Sequence, residues 1–268
     1  MPEGNYRIDI LVEGFPGKTV CHGGLGWSTV ALVRGGGRVI LVDAGAFNMR
    51  RAIVAQLAER GLTPADVTDV VLTHAHYDHA INWVMFPNAR VLIGAEELAW
   101  AAAQPLGHMV VPEFYIYELA KSPRLHAVRD REEIVPGMVA HKAAGHTPGH
   151  LIFHLSAPER DVLFTGDAAK NRAELLCIEA DMTMDADASR RAIERIWALW
   201  RRRPGTLLVP GHDIPMLLQD GRPSYIAGRR AGITAQFGET LEQTTLFELS
   251  LPDEEPARRA SQRSALGR

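Results

Sequence analysis

The chain has 268 residues, 46% hydrophobic and 23% charged, with a formal net charge of -3. That balance suits a soluble globular fold and offers no basic excess with which to grip a nucleic acid. Cys21 and Cys177 are too few for a disulfide framework, and no apolar run nears the roughly 20 residues a bilayer crossing needs, so a cytoplasmic setting without a membrane partner is expected.

The opening stretch MPEGNYRIDILVEG lacks the basic and then apolar regions of a secretory signal. Short runs rich in Val, Ile and Leu follow along the chain, bounded by Gly, Pro and Asp, and read as strands. The first is YRIDILVEG; then STVALVR and RVILVDA, joined by Gly35, Gly36 and Gly37, read as a β-hairpin. MRRAIVAQLAERGL sets Ile53, Leu57 and Gly61 one helical turn apart and stops at a glycine. DVTDVVLTHAH, ARVLIGAEE, HLIFHLSAPERDVLFTGD and GTLLVPGHD supply further strands. DADASRRAIERIWALWRRRPG reads as a helix with Asp or Ser at its start, an apolar face of Ile193, Ile196, Trp197 and Trp200, and a solvated arginine end at Arg201, Arg202 and Arg203. Strands alternating with helices imply sheets covered by helices. No internal repeat or linker interrupts residues 1–251, which are expected to form one domain, and 252–268 reads as a disordered tail.

The chemistry concentrates in THAHYDHA, residues 73–80. His74 and His76, two apart where a strand ends, share one face, and Asp78 and His79 follow on the bend toward a second centre. Imidazole and carboxylate are ligands for zinc and other first-row divalent metals. Three more strand ends, AAGHTPGHLIF, VLFTGDAAK and LLVPGHD, place His146, Asp167 and His212 just after glycines. These make seven ligands, enough for two ions if one carboxylate bridges.

THAHYDH, GHTPGH, TGD and PGHD, with LVDAG upstream, resemble the metallo-β-lactamase superfamily over about residues 6–215. The resemblance implies an α/β fold of αββα four-layer type. It implies two divalent ions, zinc by default with iron or manganese accepted by the same donors. His74, His76 and His146 would bind the first, Asp78, His79 and His212 the second, and Asp167 both. Asp43 of LVDAG would support the site through a ligating imidazole, and His150 would be a supporting neighbour that does not bind metal. Water shared by the two ions would be the nucleophile, with Asp78 also handing a proton to the leaving atom. Cys177, between Leu176 and Ile178, then needs no catalytic role and is expected to be buried. His154 is expected to be structural. His22, His108, His126 and His141 have no motif context, although His22 lies in a glycine-rich loop that could overhang the site.

The expected function is hydrolysis of a small lactone, ester or amide. The alternatives are a thioesterase or hydrolytic dehalogenase on the same site, or a metal-binding member without catalysis. The seven-ligand pattern and the length are similar to those of N-acyl homoserine lactone lactonases and related small lactonases, and two departures from them and one insert bear on substrate. Lys170 stands where many carry a tyrosine and could steady an oxyanion or bind a carboxylate, or simply face solvent. Asn82 and Trp83 replace glycines after the motif, so that the Trp83 ring either borders the cleft, favouring an apolar or aromatic substrate, or packs beneath the adjoining helix. The apolar insert at about 98–125, with Met109, Val110, Val111, Phe114, Tyr115 and Tyr117 around Pro112, is expected to be a lid, a homodimer contact or core.

Overall fold

Residues buried on both faces of their strands dictate the architecture. In the computed structural model, which describes residues 6–20 and 23–252, the chain forms β1 (Arg7–Val12), a small hairpin of β2 (Lys18–Thr19) and β3 (Gly23–Gly24), β4 (Val30–Gly35), β5 (Arg38–Val42), α1 (Arg50–Ala58), β6 (Asp69–Val71), α2 (Tyr77–Ala80), β7 (Arg90–Gly94), α3 (Ala95–Ala102), α4 (Glu113–Lys121) and β8 (Leu125–Val128). There follow β9 (Glu133–Val135), β10 (Met138–Lys142), β11 (Leu151–Leu155), β12 (Val162–Gly166), α5 (Arg172–Cys177), α6 (Ala186–Trp200), β13 (Leu207–Pro210), β14 (Met216–Gln219), β15 (Arg222–Tyr225), β16 (Gly232–Gln236) and β17 (Thr244–Glu248). Cys21, His22 and the 253–268 part of the expected disordered tail lie outside the described residues.

Two large sheets form among the described residues, one of six strands in the order β1-β4-β5-β6-β7-β8 and one of seven in the order β15-β14-β13-β12-β11-β10-β9, beside the two-stranded β2-β3 and β16-β17. Side chains alternate between their faces. Leu32, Leu41, Val70 and Val91 turn outward onto Ile53 and Leu57 of α1 and Ile116 and Leu119 of α4. Val33, Ile40, Val71 and Leu92 turn inward and meet Phe153, Leu155, Phe164 and Val209 of the second sheet. On that sheet's outer face Ile152, Leu163 and Leu208 pack against Ile193, Ile196, Trp197 and Trp200 of α6. Helices, sheet, sheet and helices make the αββα sandwich that the motifs imply.

Local chemistry explains the elements that the sequence indicates. The β4–β5 hairpin turns through Gly36 and Gly37 at φ 57° and 73°, conformations that cost a glycine little. Asp185 caps α6, its carboxylate accepting the Ala188 N–H. Strands β5, β6, β7 and β8 run parallel, as do β12 and β13. The chain therefore leaves β5, β6, β12 and β13 in loops that meet at one edge, the place where open sheets build sites.

One reading changes and three others are sharpened. Cys177 is exposed, not buried: α5 sends Leu175 inward, accepting the Trp197 indole N–H on its carbonyl, and ends at Ile178 in a left-handed turn. Arg201 and Arg202 are exposed as expected, while Arg203, its side chain 40% exposed, also donates to the Ala157 and Pro158 carbonyls and to Asp161. Trp83 does not stand at the cleft; it is 5% exposed, packs in the outer core, and donates its indole N–H to the Tyr115 carbonyl at 3.3 Å. Much of the insert is core, since Val111, Ile116 and Leu119 are buried, while Met109 and Phe114 are exposed. The β14–β15 and β16–β17 hairpins, beyond the last strand legible in the sequence, are the last elements among the described residues.

Candidate metal centre

All seven candidate ligands converge. From β6 the chain runs through Thr73 to His74 and then to His76, which is extended, and α2 carries Asp78 and His79. His146 comes from the β10–β11 loop, Asp167 from the end of β12 and His212 from the end of β13. His74, His76 and His146 have ligand atoms within 4.8 Å of one another, as do Asp78, His79 and His212, and His74, His79 and Asp167.

The spacing fits coordination. His79 Nε2 lies 3.3 Å from His212 Nε2, 3.1 Å from Asp167 Oδ1 and 3.6 Å from Asp78 Oδ2. His212 Nε2 lies 3.2 Å from Asp167 Oδ1 and 3.4 Å from Asp78 Oδ2. A tetrahedron with metal–ligand bonds of about 2.0–2.1 Å has edges of about 3.3–3.4 Å. Across the site Asp167 Oδ2 stands 3.3 Å from His146 Nε2, itself 3.0 Å from His76 Nδ1. Asp167 thus offers one oxygen to each cluster. His74 has Nδ1 3.1 Å from the Thr73 hydroxyl, and its buried Nε2 has no hydrogen-bond partner among the described residues. Such an orphan in a ring of donors is what a cation would satisfy.

Electrostatics divide the two clusters. Burial holds the His74 and His146 imidazoles well below their ordinary range and brings His76 to about 4, so their lone pairs are free at neutral pH. At His79 burial acts in the same direction, but Asp167, Asp78 and Asp43 outweigh it and hold the ring well above its usual range. His212 is likewise raised by Asp167 in spite of burial. Burial alone would raise Asp167, yet His212, His79 and His146 keep it well below the normal carboxylate range.

The supporting groups are equally specific. Asp43, in a left-handed conformation at φ 58°, accepts His79 Nδ1–H at 2.8 Å together with the Thr73 N–H and hydroxyl. That fixes the tautomer of His79 and turns Nε2 to the cluster. His150 is buried, is held neutral by burial at about 3, and accepts the Asp167 N–H on Nε2 at 3.0 Å. His154 pairs with Asp161, His126 with Glu132, and His108 accepts the Val110 and Val111 N–H groups. Lys170 faces neither open solvent nor the ligand clusters with a free ammonium. Its Nζ lies 3.0 Å from Glu174 and donates to the Asp181 carbonyl at 2.7 Å, with the side chain 13% exposed.

Several contributors lie outside the motifs. Ser28 donates to the Asp78 carbonyl, and Thr29 donates its N–H to Gly211 and its hydroxyl to Pro210, so one segment before β4 steadies both second-cluster loops. Asn82, just after α2, donates to the Ala44, Gly45 and Ala46 carbonyls and so ties the segment that follows α2 to the loop after Asp43. In the sequence a Ser-Thr pair before a strand carries no sign of these long-range bonds.

An αββα sandwich with His and Asp donors gathered at one edge defines a metallo-hydrolase architecture. The chain belongs to the Metallo-beta-lactamase superfamily, whose model matches residues 23–212. Members of that family bind divalent metals, and the clusters here fit such a site. The chain is 27% identical over 144 residues to Metallo-beta-lactamase domain-containing protein 1 of Xenopus laevis, a match spanning 51% of this chain and 60% of that relative. In structure it is similar to hydrolase AbOPH of the beta lactamase superfamily, with a TM-score of 0.65 at 20% identity over 83% of this chain and 94% of that one. It is also similar to an N-acyl homoserine lactone hydrolase solved with its product N-hexanoyl-L-homoserine at the catalytic metal centre, with a TM-score of 0.62 at 19% identity over 80% and 95% of the two chains. Among the described residues no helix is long and apolar enough to cross a membrane.

Proposed function

We propose that the chain is a binuclear metal-dependent hydrolase of a small lactone, ester or amide. His74, His76 and His146 would hold one divalent cation and Asp78, His79 and His212 a second, with Asp167 shared. The observation that carries this reading is the division of the Asp167 carboxylate, Oδ2 toward His146 and Oδ1 toward His79 and His212. Zinc suits the donor set, and iron or manganese take the same donors. Bound there, two such cations supply a water acidic enough to deprotonate near neutral pH and a Lewis acid for the substrate carbonyl.

The chain's own groups do the rest. Asp43 and His150 orient His79 and Asp167. Asp78, with its side chain 15% exposed against 6% for Asp167, is the more open carboxylate and is placed to pass a proton to the leaving atom. Lys170 has a substrate role only if it leaves Glu174. The exposed Tyr77, which lies beside Asp78 and donates its N–H to the Val110 carbonyl of the insert, and the exposed Met109 next to Val110 support an apolar substrate, with the insert as a lid or a contact in a homodimer. The likeness to a lactone hydrolase with its product bound supports the lactone among the carbonyl substrates.

The test is metal analysis of the purified chain beside a panel of lactones, esters, thioesters, β-lactams and halogenated aromatics. About two metals per chain and turnover of a lactone, ester or amide are expected. Fewer than about 1.5 metals after reconstitution would refute the binuclear site, and two metals without turnover would favour a non-catalytic member. Turnover of only thioesters or carbon–halogen bonds would reassign the substrate. Asp167→Ala is expected to lose metal and activity together, whereas Lys170→Ala keeps its metal; unchanged turnover in Lys170→Ala removes that lysine from the mechanism.

A further inference from the structure

Glu97 is fully buried in the first turn of α3 and belongs to none of the metal motifs. Its Oε1 accepts the Ala75 N–H at 2.9 Å, while Oε2 accepts the Thr147 hydroxyl at 2.7 Å and the Gly149 N–H at 3.1 Å. Ala75 lies between His74 and His76. Thr147 follows His146, and Gly149 precedes His150. One carboxylate therefore joins the loop after β6, in the first sheet, to the β10–β11 loop of the second.

The packing around it is close. A Cβ at Gly149 would fall 2.0 Å from the Glu97 backbone nitrogen, and one at Gly94 would fall 2.7 Å from the Gly149 carbonyl oxygen. The His146 loop is thus seated directly on the start of α3, and only a glycine at 149 permits it. Burial pushes the Glu97 carboxyl up to about 7 even though all three hydrogen bonds favour its charged form. A group so costly to bury contributes something an apolar side chain would not. The two loops it joins bring His76 Nδ1 and His146 Nε2 to 3.0 Å.

We propose, building on the metal-binding reading above, that Glu97 is the positioning residue that sets the separation of His76 from His146 and thereby the affinity of the His74, His76 and His146 set for a divalent cation. It touches no ligand itself; it acts through the backbone on either side of them. Two carboxylate oxygens are required because three donors converge. A glutamine of the same shape would turn an N–H against at least one of them and leave it unpaired.

The test is titration of the metal-stripped full chain with Zn(II), and separately with Co(II), against a chromophoric chelator. Wild type is expected to take two equivalents. Glu97→Gln is expected to weaken one equivalent by about 10- to 100-fold, to alter the Co(II) visible spectrum of that equivalent, and to leave the other as in wild type. Thr147→Val, which removes only the hydroxyl donor beside His146, is expected to weaken the same equivalent by less. Wild-type affinity for both equivalents in Glu97→Gln overturns the proposal. Equal weakening of both overturns it too, because that marks a general packing role. If Glu97→Gln does not fold, Thr147→Val decides: selective loss sustains the proposal and unchanged affinity refutes it. A wild type that takes up no metal would instead defeat the metal-binding reading, before any variant is compared.

Discussion

Single side chains in this molecule act by committing one atom so that another is free. Asp43 shows this most directly, because its two oxygens absorb the Thr73 N–H, the Thr73 hydroxyl and His79 Nδ1–H and leave His79 Nε2 to the ligand cluster. Asp43→Asn keeps the shape but puts an amide NH2 where an acceptor is needed. Metal affinity at the Asp78, His79 and His212 cluster is expected to fall about 10- to 100-fold, and equilibrium dialysis checks it. Wild-type affinity in that variant would mean that His79 needs no help from Asp43. Lys170 illustrates the opposite case. Its position after the TGD motif suggests a role toward substrate, but Glu174 and the Asp181 carbonyl hold the ammonium.

At the scale of elements, short segments hold the site-bearing loops. The short 3-10 helix at Ile81–Met85 carries Asn82, whose amide donates to three successive carbonyls while its oxygen accepts Arg50 Nε–H at 2.7 Å. Asn82→Ala leaves several buried carbonyls without donors. A loss of about 2–3 kcal/mol is expected, or roughly 4–12 °C in Tm for a domain of this size, and calorimetry of the metal-free chain measures it. A shift below about 1 °C would show that water replaces the amide without cost. The amphipathic face of α6 was legible in the spacing of Ile193, Ile196, Trp197 and Trp200, which all lie buried against the second sheet. The exposure of Cys177 was not, because α5 is so short that its neighbours' partners, not its periodicity, decide which residue turns inward.

Over the whole molecule, the candidate ligands come from loops of both sheets, so a cation bound among them would tie the two halves together. Each filled site stabilises the native state by about 4 kcal/mol at a thousandfold excess over Kd. Chelator treatment is therefore expected to lower Tm by roughly 10 °C or more. A metal-free chain melting at the holo temperature would rule out that coupling. The sequence by itself determined most strands of the two sheets, helices α1 and α6, and the seven candidate ligand positions, because side-chain period and donor chemistry are local properties written in nearby residues. Only the tertiary structure decided which groups hold those ligands in place. Glu97 and Glu96 look alike as acidic residues in a helix's first turn, yet Glu97 is buried between two loops about 22 and 50 residues away in sequence, while Glu96 pairs with Lys142 nearer the surface. Trp83, Asn82 and Lys170 were ambiguous for the same physical reason: a polar or aromatic side chain takes its role from the partner it meets, and Tyr115, the Ala44, Gly45 and Ala46 carbonyls, and Glu174 with Asp181 reach them through the folding of loops and short helices over each sheet.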